Sequence, residues 1–391
     1  MHEKMNIKQK FYTSLSLLLV ILMMLVGCTS KPSAKNELKD NGNNTFIKGK
    51  LTIYAENNFR SAIDLFLYSF NLSYPKLQIE WATKDKADII ITDRIPEEQM
   101  SEFAVLNSTI EDYQNIFLDS LIVKKGEDII AVPLFLELDA IWYKETFFAE
   151  KNVSAPLLLN DLATSKLNEQ YPAISYSGNA ETLFWSILAP IYLSNGGQPY
   201  ELQSGSLNKA ILETTLMHFE TLKQNKILNT ADSPESLFTK NLTQFWAANI
   251  SDVCGVKNHI TNFDSVTFMP SVISNNQDAD NIVIRSSSLA VKKNCDINLV
   301  EIFLSELFSD RYLTGLSVNL KMPLACKTSY NSHSIPEFVV KNNSVIALPS
   351  VKIHYLNCLW DDDTKSKLIT PLQNFINDSI SLEVACETMI Q

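Results

Sequence analysis

Two carboxylates sit where carboxylates are costly. The run 129–144 reads IIAVPLFLELDAIWYK, and Glu137 and Asp139 are its only acids. A buried acid needs a partner, so these two either line a cleft or meet a cation. Glu56-Asn57-Asn58 and Asp93-Arg94 are polar clusters that follow directly on apolar runs. Carboxylates and amides of this kind bond hydroxyls. Two carboxylates flanking one bond also serve glycosidases, a use set aside on the expectation that Glu137 and Asp139 point to opposite faces of a strand. His2, His218, His259, His333 and His354 are scattered, and neither HExxH nor GxSxG occurs. The cysteines form no CxxC and no Cys/His group with zinc spacing. Glycine is scarce, 10 in 391 residues, and no glycine-rich phosphate loop is present. Neither a cofactor nor a metal is implied.

The elements that would position these groups read as an α/β fold. Leu51–Ala55 is a strand, Phe59, Ile63, Phe66, Leu67 and Phe70 recur at helical spacing, and Leu77–Trp81 alternates as a second strand. Asp88–Thr92 is a short apolar run of the kind buried on both faces. Strand, helix, strand makes a βαβ unit and a parallel sheet. Ligands of such sheets sit at the carboxyl ends of the strands, which is where Glu56-Asn57-Asn58 and Asp93-Arg94 fall. Farther on, Pro156 and Asp161-Leu162 open a helical segment. Ala180–Leu193 is dense in aromatics and ends in the turn Asn195-Gly196-Gly197. Leu207–Leu228 predicts a helix with Leu212, Leu216, Phe219 and Leu222 on one face, and Leu299–Phe308 another with Val300, Phe303, Leu304 and Leu307 buried. Val266–Pro270 and Ile282–Ile284 read as strands, and Trp81 and Trp142 as core residues within strands.

The chain carries 33 Lys and Arg against 44 Asp and Glu, a net charge of −11, which argues against a nucleic-acid partner. Twenty Phe, 13 Tyr and 5 Trp exclude a disordered chain. At the N-terminus, Lys4, Lys8 and Lys10 precede ten unbroken apolar residues, Leu17–Val26. That is about half of what a membrane span requires and fits the apolar region of a secretory signal. It ends Leu-Val-Gly-Cys at Cys28, which resembles the bacterial lipobox. The expectation is a signal over 1–27, a lipid on Cys28, a polar tether over 28–45 and a folded body from 46. Five cysteines remain after Cys28, an odd number, so at least one is unpaired within the chain.

The order of the body's motifs resembles the bacterial extracellular solute-binding proteins typified by maltose-binding protein. The most specific stretch is Ala131–Lys144, similar to the family's hinge segment. Ala87–Ile91, Gly196-Gly197, Phe263–Pro270, Ser288–Lys292, the helix to Phe308, and Met322-Pro323 with Lys327–Tyr330 follow in family order. Around Phe238–Trp246 the chain departs from the pattern: Asn241 stands at the family's Gly, and Asn249–Gly255 replaces its Trp loop. The resemblance implies a two-lobed α/β fold with a ligand cleft at the hinge. The first lobe would comprise 46–138 with 288–322 and the second 139–287 with 323–391.

It also implies a function without catalysis. The protein would be a monomeric lipid-anchored receptor, with a palmitate-bearing anchor on the outer face of the cell membrane, that delivers a sugar, oligosaccharide or polyol to ABC permease subunits. A lipoprotein feeding a membrane sensor is the alternative, and a lipid-anchored carbohydrate-active enzyme is weaker still. Carried over by position, the ligand residues would be Glu56, Asn57, Asp93 and Glu137 from the first lobe and hinge. Asn179, Glu181, Trp185, Trp246, Asn249, Asp252 and Trp360 would come from the second. Trp185 would act as an aromatic platform for a sugar ring. This set is acidic and rich in amides, which favours a neutral polyhydroxyl ligand over an anion.

Overall fold

Period-two and period-3.6 apolar patterns alternate along the chain, and the computed structural model builds two sheets from them. It describes residues 47–152, 173–269, 280–309, 311–313, 315, 351–357 and 359–390. The signal, Cys28, the tether, the segment from Pro156 to Leu162, and the motifs at Met322-Pro323 and Lys327–Tyr330 lie outside them.

The first sheet begins with β1 (Gly49–Ala55), the helix Asn57–Ser73, β2 (Leu77–Trp81) and β3 (Ile89–Thr92). β1 runs parallel to both β2 and β3, so the expected βαβ unit is formed. All four residues of β3 are buried. β4 (Val123–Lys125) and β5 (Asp128–Glu137) continue the sheet, and the chain then passes at Leu138 into β6 (Asp139–Lys144). β6 belongs to a second sheet, with β7 (Ile174–Tyr176), β8 (Leu228–Thr230), β9 (Phe245–Asn249) and β10 (Val266–Met269), in the order β10-β6-β9-β7-β8.

The chain returns through β11 (Asp280–Val291), much longer than the three residues the sequence suggested. β11 lies antiparallel between β3 and β5 in its second half and pairs in parallel with β12 (Val351–Leu356) in its first. Among the described residues the first sheet therefore has seven strands, in the order β2-β1-β3-β11-β5-β4 with β12 beside β11. The architecture is α/β in two lobes, joined where β5 gives way to β6 and where β11 comes back. β12 pairs on the first sheet, whereas the helices after it pack into the second core.

Each lobe has its own apolar centre. In the first, Phe59, Ile63, Phe66 and Phe70 are at most 1% exposed, and Phe66 meets Phe303 edge-on at 5.1 Å. Phe303 comes from the helix Ile297–Leu307, whose Val300, Leu304 and Leu307 are fully buried as predicted. Burying each such side chain contributes about 1.5–3 kcal/mol. The second core gathers the helical rod 180–194, the helix Lys209–Gln224 with its predicted apolar face, and the helices Asp362–Ile376 and Leu382–Ile390. Asn241, where the sequence departs from the glycine pattern, has φ 60°. Asn tolerates this left-handed conformation better than most residues, so the backbone turn survives the change.

Trp142 is fully buried, with its Nε1 donating to the carbonyl of Ala248 at 2.9 Å. Trp81 corrects the sequence reading: it is only half-buried, its Nε1 donates to Asp64 and Arg60 lies over its ring at 4.6 Å. Cys254, Cys295 and Cys386 are free thiols. Among the described residues, no helix is long and apolar enough to cross a membrane.

Candidate functional site

The carboxyl ends of β1 and β3 lie side by side because the strands are parallel. Glu56 follows β1, and its carboxylate accepts from the Thr92 hydroxyl at 2.6 Å and from the backbone N–H of Asp93 at 3.4 Å. Asp93 then faces two arginines. Arg94 Nε is 3.6 Å from one of its carboxylate oxygens, and an Arg285 guanidinium nitrogen 3.8 Å from the other. Asn57 opens the following helix, but its side chain is outside the described residues.

Arg285 comes from the middle of β11 and is 5% exposed. Its guanidinium bonds the Asp139 carboxylate at 2.6 Å and lies 4.6 Å above the ring centre of Trp185. Since Arg285 belongs to the first sheet and Asp139 to the second, this bond joins the lobes at the crossover. Glu137 is 3% exposed, and burial pushes its carboxyl well above its ordinary value of 4.5. Arg285 opposes that shift, while Asp139 and Asp93 add to it. Asp139 is likewise raised by burial, with Arg285 opposing and Glu181 adding. Burial and the nearby Asp93 raise Glu56 in the same way.

Glu137 and Asp139 thus point the same way, which corrects the expectation of opposite faces: side chains two apart on an extended chain share a side. Asp139 is occupied by Arg285. Asn249 hydrogen-bonds both acids and, through its Oδ1, caps the helix Ile250–Gly255 by accepting from the N–H of Ser251 at 2.8 Å.

Trp185 sits on a π-helical turn, Phe184–Leu188, within the rod that Ala180–Leu183 begins and Ala189–Ser194 ends. Such turns widen a helix by one residue and cluster at functional sites. The expectation that Trp185 offers an open ring platform is corrected. One face carries Arg285, and the other stacks on Trp360 at 4.9 Å between centroids. Trp360 is 1% exposed and its Nε1 donates to the carbonyl of Leu202 at 2.9 Å.

Of the remaining candidates, Glu181 pairs with Lys365 at the edge of the cluster. Asn179 is exposed and caps the rod. Asp252 is exposed on the first turn of its helix. Trp246 is core, 4% exposed and tilted against Phe238, because it lies opposite Trp142 in the β6–β9 register. Beside Trp360 a cleft of about 280 Å³ opens between the segment 94–99 and Asp361–Asp363, with Lys84 and Arg94 also on its walls.

The sequence reading missed Arg285. Its signal was available: a lone charge in the run IVIRSSSLAV needs a buried partner as much as Glu137 does. Three buried atoms around the crossover, Glu137 Oε1, Trp185 Nε1 and Ser286 Oγ, have no hydrogen-bond partner. Buried polar atoms are nearly always bonded, so these atoms have bonding capacity that the chain itself leaves unused.

The architecture matches solved two-lobed receptors. The GacH receptor of Streptomyces glaucescens, described with acarbose, superposes with a TM-score of 0.71 at 12% identity, over 88% of this chain and 97% of that one. A sugar transporter protein of Bacillus licheniformis in complex with stachyose gives 0.69 at 13%, over 88% and 98%. UgpB of Mycobacterium tuberculosis with glycerophosphocholine gives 0.70 at 11%, over 88% and 97%. No family model matches the chain, and no curated protein matches it in sequence. At these identities the likeness establishes the fold.

Proposed function

We propose that this protein is a lipid-anchored extracytoplasmic receptor that binds a small polyhydroxyl solute between its lobes and delivers it to an ABC importer. The observation that carries the reading is the buried crossover site itself, where Glu137 Oε1 and Trp185 Nε1 lack partners between two hinged lobes. A polyhydroxyl ligand supplies donors to the first and an acceptor to the second. Its arrival completes bonds that closure would otherwise bury unmade. The similar folds that hold acarbose and stachyose support a sugar as the solute.

The cleft's interior is acidic, which disfavours phosphate or carboxylate ligands. Asp139 is tied to Arg285 and is not an open acid or base, which supports binding over bond cleavage. Anchoring rests on Cys28 at the end of the apolar leader.

Ligand binding stabilises a receptor by about RT ln(1 + [L]/Kd), roughly 2.7 kcal/mol at a hundredfold excess. Melting the full-length protein, cleared of co-purified solute, against a sugar and polyol panel should therefore reveal a cognate ligand as a clear upward shift. No shift and no calorimetric heat across the panel would refute the receptor reading. Labelling with a radioactive fatty acid should mark the wild type and not Cys28→Ala, and equal labelling of the two would refute the anchor.

A further inference from the structure

The charges around the crossover do not balance. Arg285 is the buried cation, and it is committed to Asp139 at 2.6 Å and leans toward Asp93 at 3.8 Å. Arg94 serves Asp93 and the exposed Asp362, and Lys365 serves Glu181. Among the described residues, Glu56 and Glu137 have no ion-pair partner, although Glu56 has hydrogen bonds from Thr92 and the Asp93 backbone. Glu137 is the exposed case in energy and the hidden one in space: 3% exposed, with Oε1 bonded to nothing.

Resting on the receptor reading above, we propose that the solute carries a protonated primary amine, an amino sugar or a similar aminated polyol, whose ammonium docks on Glu137 beside Asp93.

A hydroxyl donor would satisfy the free oxygen of Glu137 but leave the surplus charge in place. An ammonium does both, and charge-assisted hydrogen bonds are about twice as strong as neutral ones. A quaternary ammonium has no N–H to give, so it fits this oxygen less well. The walls already accept a cation, since the guanidinium of Arg285 lies against Trp185 at 4.6 Å and is held there by a carboxylate. The chain fills part of an acidic, aromatic-walled space with its own cation and leaves one oxygen of the adjoining carboxylate unbonded. The cleft beside Trp360 has the same sign. Glu98, Asp361, Asp362 and Asp363 outnumber Lys84 and Arg94 on the cleft of about 280 Å³, and clefts of one sign concentrate ligands of the other. Burial chiefly, and neighbouring carboxylates after it, hold the Glu56, Glu137 and Asp139 carboxyls above their ordinary values, and an ammonium placed beside them would favour their ionised forms.

Matched probes isolate the amine. Calorimetry on the full-length protein would compare glucosamine with glucose, galactosamine with galactose, and the chitosan disaccharide with cellobiose. Within each pair the skeleton is the same and the 2-ammonium replaces a 2-hydroxyl. At least one amine should bind tenfold or more tightly than its neutral twin. Glu137→Gln should erase most of that preference, lowering the amine's affinity by a clearly larger factor than its neutral twin's. Asp93→Asn, at a half-buried position, should reduce the preference severalfold and serves if the first variant does not fold. Neutral members that bind as tightly as the amines would overturn the proposal and leave the receptor intact. If no amine binds while a neutral solute of the wider panel does, the proposal is again overturned alone. If no solute of any kind binds, the receptor reading falls with it.

Discussion

A carboxyl group that is almost wholly buried, with one oxygen unbonded, titrates against its own surroundings. Glu137 loses its proton at a higher pH in the folded chain than in the unfolded one, where its ordinary value is 4.5. The stabilisation this gives is complete below about pH 4.5 and is lost as pH rises through the raised value. Glu137→Gln removes that dependence. The variant should melt above the wild type at pH 7 to 8, and the gap should shrink to nothing toward pH 4. Melting curves in matched buffers measure it, and a gap that does not change with pH would mean that Glu137 titrates normally. Glu137 was legible in the sequence because an acid inside an apolar run announces its cost. Arg285 obeys the same rule, but it lies mid-strand in β11, away from the strand ends where parallel sheets place their ligands.

At the scale of elements, periodicity found most of the helices and strands, because one buried face per element writes itself into the spacing. The helices Lys209–Gln224 and Ile297–Leu307 buried the very residues expected of them. What periodicity cannot convey is which element lies behind a given face. Trp246 was read as a cleft residue because its loop looked altered, yet the β6–β9 register sets it opposite Trp142. Trp185 was read as a platform, but Trp360 arrives from 175 residues later in the chain to cover one face.

The turn after Ser194 shows how closely such packing is drawn. A Cβ on Gly197 would come within 2.2 Å of the Tyr192 ring and 2.8 Å of its carbonyl oxygen. Tyr192 cannot easily yield, since its hydroxyl donates to Glu201 at 2.7 Å and accepts from the Asn208 N–H at 2.7 Å. Gly197→Ala should cost about 1–3 kcal/mol, as overpacking does. Urea unfolding would measure it, and an unchanged midpoint would show that the turn relaxes freely.

For the whole molecule, the lobes are coupled through Arg285 and Asp139, and at the rim through Arg94 and Asp362 at 3.5 Å. The rim pair is exposed and contributes little. The buried pair is different, because removing one partner strands the other: Arg285→Leu should cost roughly 3–5 kcal/mol. Adding Asp139→Leu should restore much of that loss, since an apolar pair of similar volume tolerates burial. Denaturant midpoints for the two single variants and the double would decide it. A double variant no better than Arg285→Leu would show that the bond is not what joins the lobes there.

β11 carries one further implication. Along it, Ile282 and Ile284 pack into the first core, Val283 into the second, and Arg285 into the crossover. Neighbouring side chains on a strand face opposite ways, so a shift of one residue exchanges every assignment. With the β12 pairing of β11 held in place, a single codon inserted between 280 and 284 would seat Ile284 against Asp139 and turn the guanidinium into hydrocarbon. Descendants of this gene can therefore revise what β11 is made of, provided that they never revise how long it is.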